Sequence, residues 1–312
     1  MVKVDSTQLD QSDMVDIFLV SQLGIKDIDG YGHLWYGNYL KFFHRAVHAF
    51  LGGGSLCRVE HLKYRRPIPW GAAESRIESY LVSRPAAGRA LVYQRWCVGH
   101  EADCTHALCL TLVALPPGVG DAVAIHDVGE RIRQAAVGTR EPKLGMAVKN
   151  LQSGAVGALR PDESPLGRFL VPRHVFADMV APAGDMLLVE IMDLFEQSRT
   201  ETVGGQPGLK AFKDRGLTLV VGQIDELVIA DGVPLAPGSE LTCEVTLLRE
   251  TTERRCFHFL QRVLRADGAE VARMRVLMCC VGDTDGALVT VPDDSWQEWI
   301  ARMGALGCMR AD

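Results

Sequence analysis

IKDIDGYGHLWYGNYLKFFHRAVHAFL, residues Ile25–Leu51, is the stretch whose reading decides the fold. It opens on an acidic, glycine-containing loop, Asp27-Ile-Asp29-Gly-Tyr-Gly32-His33, and continues with a helical period. Trp35, Tyr36, Tyr39, Leu40, Phe42, Phe43, Ala46, Val47 and Phe50 make a wide apolar face. Asn38, Lys41, Arg45 and His48 follow at steps of three, four and three, a narrow polar stripe on the opposite side. A helix apolar around most of its circumference is buried by whatever wraps it. Gly52, Gly53 and Gly54 are placed to stop it.

Working outward, the 312 residues suffice for two ordinary domains or one large one. With 47% hydrophobic and 23% charged residues the composition is that of a soluble globular protein. A net charge of −6 argues against nucleic acid as the main partner, because duplex binding needs a basic footprint. No apolar run is long enough to span a bilayer, and the polar, acidic N-terminus lacks a signal-peptide pattern. The nine cysteines sit mostly in apolar runs without regular spacing, as reduced thiols in a cytoplasm do. There is no C-x-x-C, so a zinc site has little support, and with no metal or nucleotide motif in the sequence no cofactor is expected.

Strand-like runs follow the helix at Val59–Leu62, Ser75–Val82, Ala90–Gly99 and Ala107–Leu115. This is an α+β order. Residues 118–165, rich in Gly, Ala, Arg and Pro, read as a connector with one amphipathic helix near Val128–Ala136. The order then repeats. Arg168–Phe176 reads as a strand, and Ala183-Gly184-Asp185 followed by MLLVEIMDLFEQSR matches Tyr31-Gly32-His33 and the helix after it. The offset from Gly32 to Gly184 is 152 residues, and it pairs Phe43 with Phe195 and His44 with Glu196. The polar stripe maps onto Glu190, Asp193, Gln197 and Thr200, of which Glu190 and Asp193 are read here as solvated. Further strands are expected at Leu217–Ile229, Glu240–Arg249, Arg255–Arg265 and Glu270–Val281, with a terminal helix over Pro292–Met303.

The pattern D-x-D-x-x-G-H-x-x-Y-x-N-Y-L-x-F-F, from Asp27 to Phe43, resembles the start of hotdog-fold acyl thioesterases of the 4-hydroxybenzoyl-CoA type. The resemblance implies one long helix wrapped by a curved antiparallel sheet, and with the repeat it implies a double hotdog. Residues 1–117 would form the N-terminal hotdog unit and 166–312 the second, sharing a continuous antiparallel sheet around two long helices near Trp35–Phe50 and Met186–Thr200. The same resemblance makes Asp29 the catalytic carboxylate, attacking the thioester directly or activating a water. Gly32, His33 and Leu34 would then offer backbone amides to the oxyanion, with His33 a further donor. Equally, Asp27 and Asp29 are residue types common in turns and helix caps, and Asp27 suits bracing the loop. Tyr36, Asn38 and Tyr39 match the Y-x-N-Y of the pattern, the rings suited to the core and Asn38 to bonding the loop. His44 stands where Glu196 stands in the second half, a buried hydrogen-bonding residue or one lining the pocket.

Lys63, Arg65 and Arg66 form the densest basic cluster, suited to CoA or phosphopantetheine phosphates or simply to a solvated edge. At the offset of 152, Ala181 replaces Asp29, Met179 replaces Asp27 and Asp185 replaces His33, with Asp178 one residue off register. One active centre per chain follows. The resemblance thus points to hydrolysis of an acyl-CoA or acyl-carrier-protein thioester, in a setting such as polyketide or modified fatty-acid assembly. No membrane partner is expected, and homo-oligomers are left open. A hotdog dehydratase is the rival, but its H-x-x-x-G is broken here because Arg65 stands four places after His61. Acyl transfer, decarboxylation or plain acyl binding on the same fold are further alternatives.

Overall fold

The helix expected from the aromatic run is α1, Tyr36–Leu51. The computed structural model describes residues 15–20, 23, 27, 34–51, 55–69, 71–72, 74–83, 88–100, 104–115, 165–180, 188–230, 233–248, 254–284 and 286–306. The helix expected near Val128–Ala136 lies outside them, as do Gly52, Gly53 and Gly54. The chain divides into two units, Met1–Gly154 and Ala155–Asp312.

Unit 1 holds β1 (Val15–Val20), α1, β2 (Ser55–Tyr64), β3 (Ser75–Ser83), β4 (Arg89–Val98) and β5 (Thr105–Ala114). Its strands lie in the order β1-β3-β4-β5-β2, each pair antiparallel. Unit 2 holds β6 (Pro165–His174), α2 (Leu188–Thr202), α3 (Gly205–Lys213), β7 (Leu217–Ile229), β8 (Glu240–Leu248), β9 (Cys256–Arg265), β10 (Glu270–Gly282) and α4 (Asp293–Leu306). Its order is β6-β8-β9-β10-β7, again antiparallel throughout. Counting from the edge that precedes each unit's first helix, the two sequences of strands are the same. Only α3 and α4 have no counterpart among the described residues of unit 1.

Strand alternation explains what holds each helix. In β4 the inward residues include Gln94 and Trp96, both fully buried. Trp96 meets Tyr39, Phe42 and Phe43 of α1 with ring centroids 5.3, 5.3 and 5.9 Å away, and its indole N–H donates to Ser75 Oγ at 2.6 Å. Gln94 Nε2 donates to the Phe43 carbonyl at 3.0 Å. In unit 2 Gln261 Nε2 donates to the Phe195 carbonyl at 2.7 Å. The same clasp is therefore built twice, on the phenylalanines that the offset of 152 pairs.

The outward residues repeat as well. Glu78 on β3 is held by Arg95 of β4, and receives hydrogen bonds from Arg76 Nε and Tyr80 OH at 3.0 Å each. Glu244 on β8 is held by Arg168 of β6 and by Arg262 of β9, whose Nε donates at 2.8 Å. Q-R thus occurs at Gln94-Arg95 and at Gln261-Arg262, the glutamine turned to the helix and the arginine to a buried glutamate.

Burial pushes the Glu78 carboxyl up, but the hydrogen bond and charge of Arg95, with Tyr80 and Arg76, win and hold it below its ordinary value. The folded carboxyl therefore binds its proton less tightly than the unfolded one. The stability it contributes is complete above the unfolded value of 4.5 and is lost as pH falls through the lower folded value. Burial and the Glu78 charge push the Tyr80 phenol from 10.0 to about 12, so that contribution is lost as pH climbs between those two values. Glu78→Gln should flatten the acid limb of stability relative to the native chain, read by urea unfolding at acidic and neutral pH. An unchanged acid limb would show that the carboxyl is not held down by its arginines.

The polar stripes need correction. Asn38 is buried, Lys41 is half-buried, and only Arg45 and His48 are exposed. Glu190 and Asp193 are half-buried rather than solvated. Burial raises the carboxyl pKa of both, helped at Glu190 by the charges of Asp193 and Asp178 and at Asp193 by that of Glu196.

Candidate active site

Asp29, Gly32 and His33 lie outside the described residues, but both ends of the segment that carries them are described. At the near end the Asp27 carbonyl accepts from Trp35 N at 2.9 Å. The Asp27 side chain is buried and paired with Lys41, one turn into α1. Lys41 Nζ also donates to Asn38 Oδ1 at 3.4 Å, so Asn38 joins this anchor through the lysine. At the far end Leu34 N donates to the Ile68 carbonyl at 2.8 Å. The Leu34 amide, expected to face an oxyanion, is thus engaged by the Ile68 carbonyl.

The basic stretch after β2 folds over the start of the helix. Tyr64 OH donates to the Tyr36 carbonyl at 3.0 Å, and Ile68 N donates to Tyr39 OH at 3.2 Å. Arg65 N and Arg66 N both donate to the His106 carbonyl, at 2.8 and 3.2 Å. Lys63, half-buried, and Arg65 and Arg66, exposed, are thereby carried on the segment that braces the helix start. Tyr36 is half-buried, its ring edge-on to Trp35 and Tyr64 at 5.2 and 6.3 Å. Gly37 is the residue that admits this packing: a Cβ there would stand 2.3 Å from the Trp35 indole.

Asp27 and Leu34 are therefore both held at the start of α1, and a helix N-terminus carries a partial positive charge that favours a developing anion. Lys41 is the charged group the sequence reading missed, since a helical wheel gives its direction but not the loop that folds back onto it. Cysteine nucleophiles find no support among the cysteines with perturbed thiols. Burial pushes Cys97 and Cys243 up to about 12 and Cys280 to about 11, where the thiolate is suppressed. His61, the histidine of the rival dehydratase pattern, is buried within β2. Among the described residues no cluster of three or more His, Cys, Asp or Glu is arranged to hold a metal ion, and no helix is long and apolar enough to cross a membrane.

No family model and no curated protein matches the chain. Solved structures do. The 12:0-ACP thioesterase from Umbellularia californica superposes with a TM-score of 0.52 at 9% identity, over 85% of this chain and 94% of its own. An acyl-ACP thioesterase from Bacteroides thetaiotaomicron superposes with a TM-score of 0.50 at 10% identity, over 85% of this chain and 98% of its own. At such identities the likeness is one of fold. The chain has the hotdog fold of these thioesterases.

Proposed function

We propose that this protein is an acyl thioester hydrolase acting on an acyl-CoA or acyl-carrier-protein substrate, with Asp29 as its catalytic carboxylate. The observation that carries the reading is the anchoring of the two residues that flank Asp29 in the sequence, Asp27 through Trp35 and Lys41 and Leu34 through Ile68. A carboxylate can serve as base or nucleophile only if held within reach of the thioester carbon. In either role the carbonyl carbon gains an oxygen, the C–S bond breaks, and the thiolate leaves to take up a proton. Water supplies the hydroxyl of the acid product, directly or on release of an acyl-enzyme anhydride. The two fold neighbours, both acyl-ACP thioesterases, favour the same chemistry.

Residues 1–117 and 166–312 are read with this as two hotdog units joined by a 118–165 connector, the first carrying the chemistry. His33 and the Gly32 amide are assigned to the oxyanion. Lys63, Arg65 and Arg66 are assigned to the phosphates of the thiol carrier, and Tyr36 and Asn38 to the wall beside the acyl group. The setting proposed is modified fatty-acid or polyketide assembly.

The test is release of thiol from a panel of acyl-CoA and acyl-carrier-protein thioesters, from acetyl to lauroyl and including benzoyl. Turnover of at least one is expected. A folded protein that releases thiol from none of them would sink the proposal.

A further inference from the structure

At the clasp glutamines the two units differ. Gln94 spends its amide nitrogen on the Phe43 carbonyl and on Ser79 Oγ, each at 3.0 Å. Its Oε1 is buried and has no hydrogen-bond partner among the described residues. In unit 2 the matching oxygen, Gln261 Oε1, accepts from Arg199 Nη1 at 2.8 Å. Arg199 is buried and donates through Nη2 to Glu196 at 2.7 Å. At the offset of 152, Arg199 corresponds to Val47 and Glu196 to His44. A charged network thus fills in unit 2 the place that in unit 1 is a crevice. Leu40, Phe43, His44, Val47, Leu56 and Gln94 are among the residues that line this narrow slot, which is partly open to solvent.

Two local deficits coincide there. A buried acceptor left without a donor is costly, and atoms lining a void forgo dispersion contacts. A single occupant relieves both if it is slender, apolar along its length and ends in one neutral donor. A charged ammonium would bring a desolvation cost into this apolar slot, and a carboxylate would bring no donor. A hydroxyl fits. Phe43 lies seven residues into α1 from Tyr36, roughly 10 Å along the axis at 1.5 Å per residue, which suits a chain of medium length. As the walls stand they are too close for a water molecule, so occupation requires Leu40, Val47 and Leu56 to part, a movement of side chains rather than of backbone.

We propose that this crevice is the distal acyl subsite of the chain, taking an aliphatic acyl group that ends in a hydroxyl, with the hydroxyl donating to Gln94 Oε1. Gln94, Val47 and His44 are then its specificity residues. The proposal rests on the thioesterase reading for its substrate class but not for its geometry.

Decanoyl-CoA and ω-hydroxydecanoyl-CoA are the probes, compared by kcat/KM. The native chain should favour the hydroxylated substrate roughly 10-fold, the scale of satisfying one buried polar group. Gln94→Leu should erase the preference. Because that change also removes the bond to Phe43, a second variant is needed. His44→Glu with Val47→Arg imports the network of unit 2 and should close the slot, abolishing the preference while thermal unfolding stays cooperative. Equal kcat/KM for the two substrates in the native chain would overturn the proposal. If neither thioester is cleaved, calorimetric titration with decanoate and ω-hydroxydecanoate separates the two ideas. Tighter binding of the hydroxy acid, lost in the double variant, would uphold the subsite while the thioesterase reading falls. Equal or absent binding would overturn the subsite.

Discussion

Asp29→Asn should lower kcat/KM for thioester hydrolysis by about 100-fold or more, the scale of losing a positioned base or nucleophile. The amide keeps the size of the carboxylate but neither accepts the proton of a water nor attacks a carbonyl carbon at a useful rate. Asp27→Asn should cost less. Its backbone carbonyl still receives Trp35 N, and the pairing with Lys41 is weakened. A residue that positions another acts through the fraction of segments correctly held, so Lys41→Met should copy Asp27→Asn and not Asp29→Asn. Thiol release from one acyl-CoA at saturating and at low concentration distinguishes the three variants. Native-like activity in Asp29→Asn removes that residue from the mechanism. A loss at Asp27 equal to that at Asp29 would exchange their roles.

Trp96→Ala should destabilise unit 1 by about 3–5 kcal/mol, the range for truncating a large buried aromatic side chain. Three rings of α1 and the hydroxyl of Ser75 converge on this indole, so its loss opens a cavity against both the helix and β3. Trp96→Phe should recover much of the loss, since it keeps part of the volume and gives up the indole N–H. Ser75→Ala isolates that hydrogen bond, for which about 1 kcal/mol is expected. Chemical unfolding monitored by far-ultraviolet circular dichroism measures all three. A cost for Trp96→Ala no larger than that for Ser75→Ala would mean that the aromatic cluster does not anchor the helix.

Periodicity made most of the elements legible. The aromatic face of α1 and the apolar runs of β3, β5 and β7–β10 carry a strong signal, although β5 and β8 are buried along most of their length and not on one face alone. Two elements escaped for physical reasons. β1, VDIFLV, is a short edge strand in which Ile17 and Leu19 face outward, so it shows no alternation and follows a polar segment. α3 contains Gly205, Pro207 and Gly208, residues that read as breakers. Pro207 lies in its first turn, where the missing N–H is not needed. Gly208 lies so close to the Val203 carbonyl, 1.8 Å from where a Cβ would be, that no other residue fits.

At the site, the sequence pattern named Asp27 and Asn38 but left out their shared partner. Lys41 was assigned only to the polar stripe because helical geometry says nothing of a partner that comes from outside the helix. The Q-R pair escaped because the offset that aligns the helices, 152, becomes 167 between Gln94 and Gln261. Most of the difference falls where α3 is inserted, since the strands that follow start at Ser55 and Leu217. A polar residue inside an apolar strand has meaning only once its partner on the helix is known.

The double clasp also bears on how such a chain tolerates elaboration. Gln94 reaches back 51 residues to Phe43, whereas Gln261 reaches back 66 residues to Phe195. Loop-closure entropy grows only with the logarithm of length, so the longer span adds about 0.2 kcal/mol to the cost of forming the second clasp. Lengthening the chain between helix and sheet is therefore nearly neutral for stability, provided the glutamine still meets its carbonyl. New structure such as α3 can accumulate at that junction without a penalty the rest of the unit must offset, which makes it a permissive point for insertions and for grafted segments.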